Sequence, residues 1–146
     1  ESAYLMVNLM QGVVNEGTAG RLRSVYKLTG QLAGKTGTTN DQSDGWFIGY
    51  TPKITAGVWV GAEDRQVHLE SLALGGGSNM ALPIWGIFMK KVLEDGTLGI
   101  SSNDLFVKPP GFELDLRCTG GDDDNSSVSV GNTDTQVVED DFSFFE

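Results

Sequence analysis

The 146-residue chain has one cysteine, one histidine and no basic cluster, and each shortage removes a class of protein. Cys118 alone forms no intramolecular disulfide, so the fold must rest on a packed core. His68 has acids nearby at Glu63, Asp64 and Glu70, but a metal centre needs three or four convergent ligands at fixed spacing. A surface histidine is expected, with no metal and no cofactor. Arg21, Arg23 and Lys27 come nearest to a basic patch. Three separated cations make a solvated face, not a phosphate-binding surface, so no nucleic-acid partner is expected. No run reads as the roughly 18 to 20 apolar residues that span a bilayer, which predicts no membrane contact by this segment.

What is present is unevenly placed. The formal charge is −10, yet residues 111–146 hold ten acids and one base, leaving ten acids and nine bases in residues 1–110. The body is nearly neutral and the acidity belongs to one end. With 39% hydrophobic residues the length suits one core. Residues 1–108 are expected to form it. Residues 109–146, rich in Gly, Ser and Asp, bury too little apolar surface to offset chain entropy and predict an acidic, disordered tail.

Met6, Leu9, Met10, Val13 and Val14 follow the spacing of an amphipathic helix, predicted over 3–15 with Ser2 as its cap and Gly17 as its terminator. Leu28 to Thr39 suits a strand. WFIGY (46–50) and ITAGVWVG (54–61), separated by Thr51-Pro52-Lys53, predict two more in an antiparallel meander. Gly75-Gly76-Gly77 reads as a flexible connector. Ile84, Trp85, Phe88, Met89, Val92 and Leu93 predict a last helix, capped by Asn79, with Pro83 in its first turn and Gly96 at its end. The fold class is α+β: about three antiparallel strands packed by N- and C-terminal helices.

The stretch that carries chemistry is Ala33-Gly34-Lys35-Thr36-Gly37-Thr38-Thr39-Asn40. It is not a phosphate loop: Gly30 stands four positions before Gly34 where five are needed, and strands follow where a helix should. No G-x-S-x-G elbow presents a serine to His68. Lys35-Thr36-Gly37 does match one of the three signatures of serine transpeptidases and β-lactamases. The surrounding GKTGTTND, SDGWFIGYTP, GVWVG and GGSNMALPIWGIFM are similar, in order and spacing over residues 2–100, to the C-terminal end of the transpeptidase domain of class A, bifunctional penicillin-binding proteins.

That resemblance implies a partial β-lactamase/transpeptidase-like domain and a set of roles. The Thr38 backbone N–H would be one of two oxyanion donors. Lys35 would be an electrostatic partner of substrate and of the serine network. Lys35, Thr36, Gly37, Thr38 and Thr39 would line the substrate, with Gly37 leaving room for it. Alternation puts Lys35, Gly37 and Thr39 on one face and Thr36 and Thr38 on the other. Bringing Lys35 and the Thr38 hydroxyl to one ligand therefore calls for twist or a bulge.

The family also needs Ser-x-x-Lys and Ser-x-Asn upstream. Ser24-Val25-Tyr26-Lys27 lies only eight positions before Lys35, and Ser101-Ser102-Asn103 follows it, so neither serves and no nucleophile is expected in this chain. The expectation is a fragment, inactive alone, whose parent sits at the periplasmic face of the bacterial inner membrane and cross-links peptidoglycan stem peptides. β-Lactams and the remainder of the transpeptidase domain would be its other partners. A D,D-carboxypeptidase or serine β-lactamase, or a non-catalytic cell-wall binding module, are the alternatives.

Overall fold

The computed structural model describes residues 1–113 and residue 116. Helix α1 (Ser2–Asn15) and a single turn, α2 (Arg21–Ser24), precede strand β1 (Ala33–Thr38). Strands β2 (Asp44–Tyr50) and β3 (Thr55–Gly61) follow, then the short α3 (Leu72–Gly75) and the long α4 (Gly77–Glu94). The strands form one antiparallel sheet in the order β1-β2-β3, the α+β meander that the alternating β-branched and aromatic residues predict.

The sheet has two unlike faces. Phe47 points into the core and meets Trp85 of α4 edge-on, centroids 5.2 Å apart. Val14, Leu22, Leu32, Leu82 and Met89 close around this pair. The Trp85 indole N–H donates to the Ala56 carbonyl at 3.0 Å, anchoring the helix to β3. Gly49 lies directly beneath: a Cβ there would stand 2.7 Å from Trp85 and from Phe47. The other face presents Trp46, Ile48 and Trp59, which are 43%, 50% and 46% exposed.

Helix boundaries depart from expectation at both caps. Ser2 is inside α1, whose N-cap is Glu1 with no side-chain capping bond. Met6 and Leu9, two of the five residues in the expected apolar stripe, are 48% and 67% exposed, and only Val14 is fully buried. Helix α4 starts at Gly77, two residues before Asn79. Asn79 instead accepts from the Arg21 guanidinium at 2.8 Å. Pro83 is therefore the seventh residue, not part of the first turn, and its missing N–H leaves one helical bond unmade. The triglycine is no loose connector: Gly75 ends α3 and Gly77 opens α4. By length and composition Leu72–Glu94 reaches the hydropathy of a membrane span, contrary to the sequence expectation, but 44% of that window is buried inside the protein. Ala81, Leu82, Trp85, Met89 and Val92 are the apolar residues of α4 that serve the core.

Packing reaches Phe106, near the end of the expected body, and Phe112, within the stretch expected as tail. The Phe106 N–H donates to Gln31 Oε1 at 2.6 Å, and its ring meets Tyr50 edge-on. Phe112 is buried against Tyr4, centroids 5.2 Å apart. Order in the stretch expected as tail thus begins with an aromatic anchor. Residues 114, 115 and 117–146, with Cys118 and the terminal FSFFE, lie outside the described residues.

Candidate active-site strand

β1 is an edge strand, and the direction of its main-chain groups follows from one bond. The Thr39 N–H donates to the Asp44 carbonyl at 3.1 Å. In an antiparallel ladder, successive residues turn their N–H and C=O alternately toward and away from the partner strand. Gly37 and Lys35, two and four residues before Thr39, therefore bond to β2. Thr38 and Thr36 turn both groups to the open side, where no strand pairs among the described residues. The register runs unbroken from Ala33↔Tyr50 to Thr38↔Gly45, so no bulge brings side chains of opposite faces together.

The side chains divide as alternation demands. Lys35 is exposed and its ammonium donates to the Thr36 carbonyl at 3.1 Å, a contact available because that carbonyl faces outward. Among the described residues it has no carboxylate within ion-pair reach. Gly37 is beside it, and a Cβ would meet the Trp46 Cβ at 3.3 Å, a close approach to β2. On the opposite face the Thr36 hydroxyl is 3.2 Å from that of Thr18. The Thr38 hydroxyl accepts the Gly77 N–H at 3.0 Å.

Thr39 closes the turn that follows β1. Its hydroxyl accepts the Asp44 N–H at 2.9 Å and is 3.0 Å from the Ser43 hydroxyl. Asp41 and Gln42, in the same turn, both have positive φ, 57° and 54°, a conformation that costs energy in residues other than glycine. Thr39, Ser43 and Asp44 hold this turn together. The Asp44 carboxylate then accepts the Trp59 indole N–H at 2.8 Å. The sequence gives no motif for Gly77, Asp44 or Trp59 as supports of the strand. The only signals are a polar residue opening an apolar strand and a glycine opening a helix.

The two serine motifs set aside from the sequence are also apart from helical geometry. Ser24 is the last residue of α2 and its hydroxyl donates to the Gly20 carbonyl at 3.3 Å. Lys27 lies beyond the helix with φ of 57°, so the two do not share a helical face. Ser101 Oγ accepts from the Asn103 N–H at 3.1 Å within a local turn. His68 is exposed in the loop after β3.

The family model for the penicillin binding protein transpeptidase domain matches residues 1–77. The chain belongs to the penicillin-binding protein transpeptidase family. Penicillin-binding protein 1A of Pseudomonas aeruginosa is 41% identical over 111 residues, 76% of this chain and 12% of that protein. Penicillin-binding protein 1A of Aquifex aeolicus is 39% identical, covering 71% of this chain and 13% of that protein. A crystal structure of penicillin-binding protein 1A from Haemophilus influenzae superposes with a TM-score of 0.61 at 25% identity, over 74% of this chain and 16% of that one. The class A resemblance carried by GKTGTTND and GGSNMALPIW is thus matched in sequence and in fold. The chain spans a small part, 12% and 13%, of these two relatives. Among the described residues β1 is the strand with both an unpaired edge and an exposed lysine.

Proposed function

We propose that residues 1–108 supply the substrate and oxyanion wall of a serine-type D,D-transpeptidase that cross-links peptidoglycan stem peptides, with residues 109–146 the acidic segment that follows it in sequence. The observation that carries the reading is the outward-facing Thr38 N–H on an open strand edge, next to the exposed ammonium of Lys35. A peptide or β-lactam laid along this edge finds main-chain groups to pair with, as in other strand-addition complexes. The Thr38 N–H would donate to the carbonyl oxygen as it becomes an oxyanion. The hydroxyls of Thr36 and Thr38, on one face of the strand, would orient the carboxylate, and Lys35, whose ammonium reaches round to the Thr36 carbonyl at the open edge, would attract it. Thr39 would act through the turn it closes.

The nucleophilic serine and its base would come from the remainder of the transpeptidase domain, in a parent anchored at the periplasmic face of the inner membrane. The exposed Trp46, Ile48 and Trp59 on one sheet face, and Ile84, Ile87 and Phe88 on α4, support such a partner. Groups of large apolar side chains on one surface usually mark an interface.

Two incubations with a fluorescent penicillin test this. The 146-residue chain should remain unlabelled, and an adduct at Ser24 would overturn the assignment of the nucleophile. The full-length protein should be labelled, and Lys35→Ala should slow labelling about 100-fold or more, the magnitude of losing one oriented charge-stabilising group. Unchanged labelling of that variant would reject the role given to β1.

A further inference from the structure

We propose that Gly77 is a positioning residue whose backbone N–H sets the Thr38 hydroxyl as a hydrogen-bond donor toward a carboxylate-bearing ligand at the open edge of β1. The inference rests on the reading of β1 as a ligand-binding wall and adds to it a residue 39 positions away in sequence.

A threonine hydroxyl carries one hydrogen and two acceptor lone pairs, and on an exposed strand it rotates to suit any partner. An amide N–H can only donate. The Gly77 N–H lies 3.0 Å from Thr38 Oγ1, so Thr38 must be the acceptor in this bond and its own hydrogen is left for another group. Accepting a hydrogen bond also polarises the O–H and strengthens it as a donor. Thr38 is exposed, so that hydrogen is offered to solvent or ligand, together with the outward N–H of the same residue. A carboxylate, which only accepts, is the ligand chemistry this arrangement suits.

The geometry also explains why position 77 is glycine. A Cβ there would run into the Gly37 carbonyl and would stand 2.5 Å from the Trp46 carbonyl oxygen and 3.2 Å from its nitrogen. Backbones of β1, β2 and α4 meet at this point with no side chain between them. Any larger residue lifts the start of α4 from the sheet and stretches the bond to Thr38.

The test measures acylation of the full-length protein by benzylpenicillin and by its methyl ester, which has no free carboxylate, in competition with a fluorescent penicillin. Gly77→Ala should slow acylation by the acid about tenfold, the effect of one lost hydrogen bond, and leave the ester within about twofold. Thr38→Val should show the same selectivity, and adding Gly77→Ala to it should cost nothing more for the acid. Equal losses for acid and ester, or additive losses in the double variant, would overturn the proposal. If Gly77→Ala does not fold, glycolic acid in place of Gly77 removes the N–H without adding a Cβ. That backbone ester should give the same selective loss, and wild-type behaviour would overturn the proposal. If neither Thr38→Val nor Lys35→Ala alters acylation, the reading of β1 itself fails. If both slow it and the Gly77 changes do not, only the positioning role fails.

Discussion

The carboxylate of Asp44 accepts the indole N–H of Trp59 at 2.8 Å, joining the first residue of β2 to the middle of β3. Its second oxygen is 3.3 Å from the Thr39 hydroxyl, and its own N–H donates to that hydroxyl. One nearly buried acid thereby ties the end of the candidate active-site strand to the far strand of the sheet.

Asp44→Ala should destabilise the intact transpeptidase domain by about 1–3 kcal/mol, because it strands the indole N–H and loosens the turn. Asp44→Asn, which keeps an oxygen acceptor for Trp59, should recover most of that loss. Thermal unfolding of both variants checks this; equal destabilisation by the two would show that the charge, not the hydrogen bond, is what matters.

Arg23 should behave as a structural clamp. Its guanidinium donates to the carbonyls of Leu28 and Gly30 at 2.9 and 2.8 Å and to Asn15 Oδ1, fastening the end of α1 to the approach to β1. Burial holds its pKa below the usual guanidinium range. Arg23→Ala should cost about 2 kcal/mol in stability, the scale of charge-assisted bonds to part-buried carbonyls. Lysine, lacking the planar fork, should restore little of it. Full recovery with Arg23→Lys in denaturant titration would refute the clamp.

Tyr50 gives the fold a dependence on alkaline pH. Burial raises its pKa above the ordinary 10.0, because the phenolate is penalised beside Met10 and Phe106. The unfolded chain releases this proton more readily than the folded one. Its contribution to stability is whole below about pH 10 and is lost as pH rises through the folded-state pKa. Tyr50→Phe should show a shallower fall in melting temperature across that range; an unchanged pH profile would argue against the assignment.

The core should be intolerant of added volume at Gly49. A single methyl there enters the space of Trp85 and Phe47, and overpacking of this kind costs about 1–3 kcal/mol. Gly49→Ala should lower the melting temperature of the intact domain, whereas Gly57→Ala, whose Cβ would find Ile48 at an ordinary 3.6 Å, should change it little.

The 146-residue chain alone should be weakly stable and self-associating. Trp46, Ile48 and Trp59 stand in water on one face of the sheet, and both outer strands carry unpaired main-chain groups among the described residues. Sedimentation velocity combined with a thermal melt tests this. A monomer with a sharp cooperative transition would contradict it.

The sequence by itself determined the strands, the long helices and the family, because those rest on local patterns: alternation in WFIGY and GVWVG, helical spacing in Ile84 to Leu93, and the Lys35-Thr36-Gly37 motif in its surrounding text. It missed where α4 begins, because a helix start is set by what the backbone touches. Glycine at 77 lets α4 abut Gly37 and Trp46, and no pattern within residues 75–79 reports a strand 39 residues earlier. It also misjudged the stripe on α1, since apolar spacing shows that a face exists but not whether another element covers it. The bonds from Gly77 to Thr38 and from Trp59 to Asp44 were decided only by the tertiary structure. Each pairs a donor and an acceptor from different elements, and only the register of the sheet and the seat of α4 upon it bring them within reach.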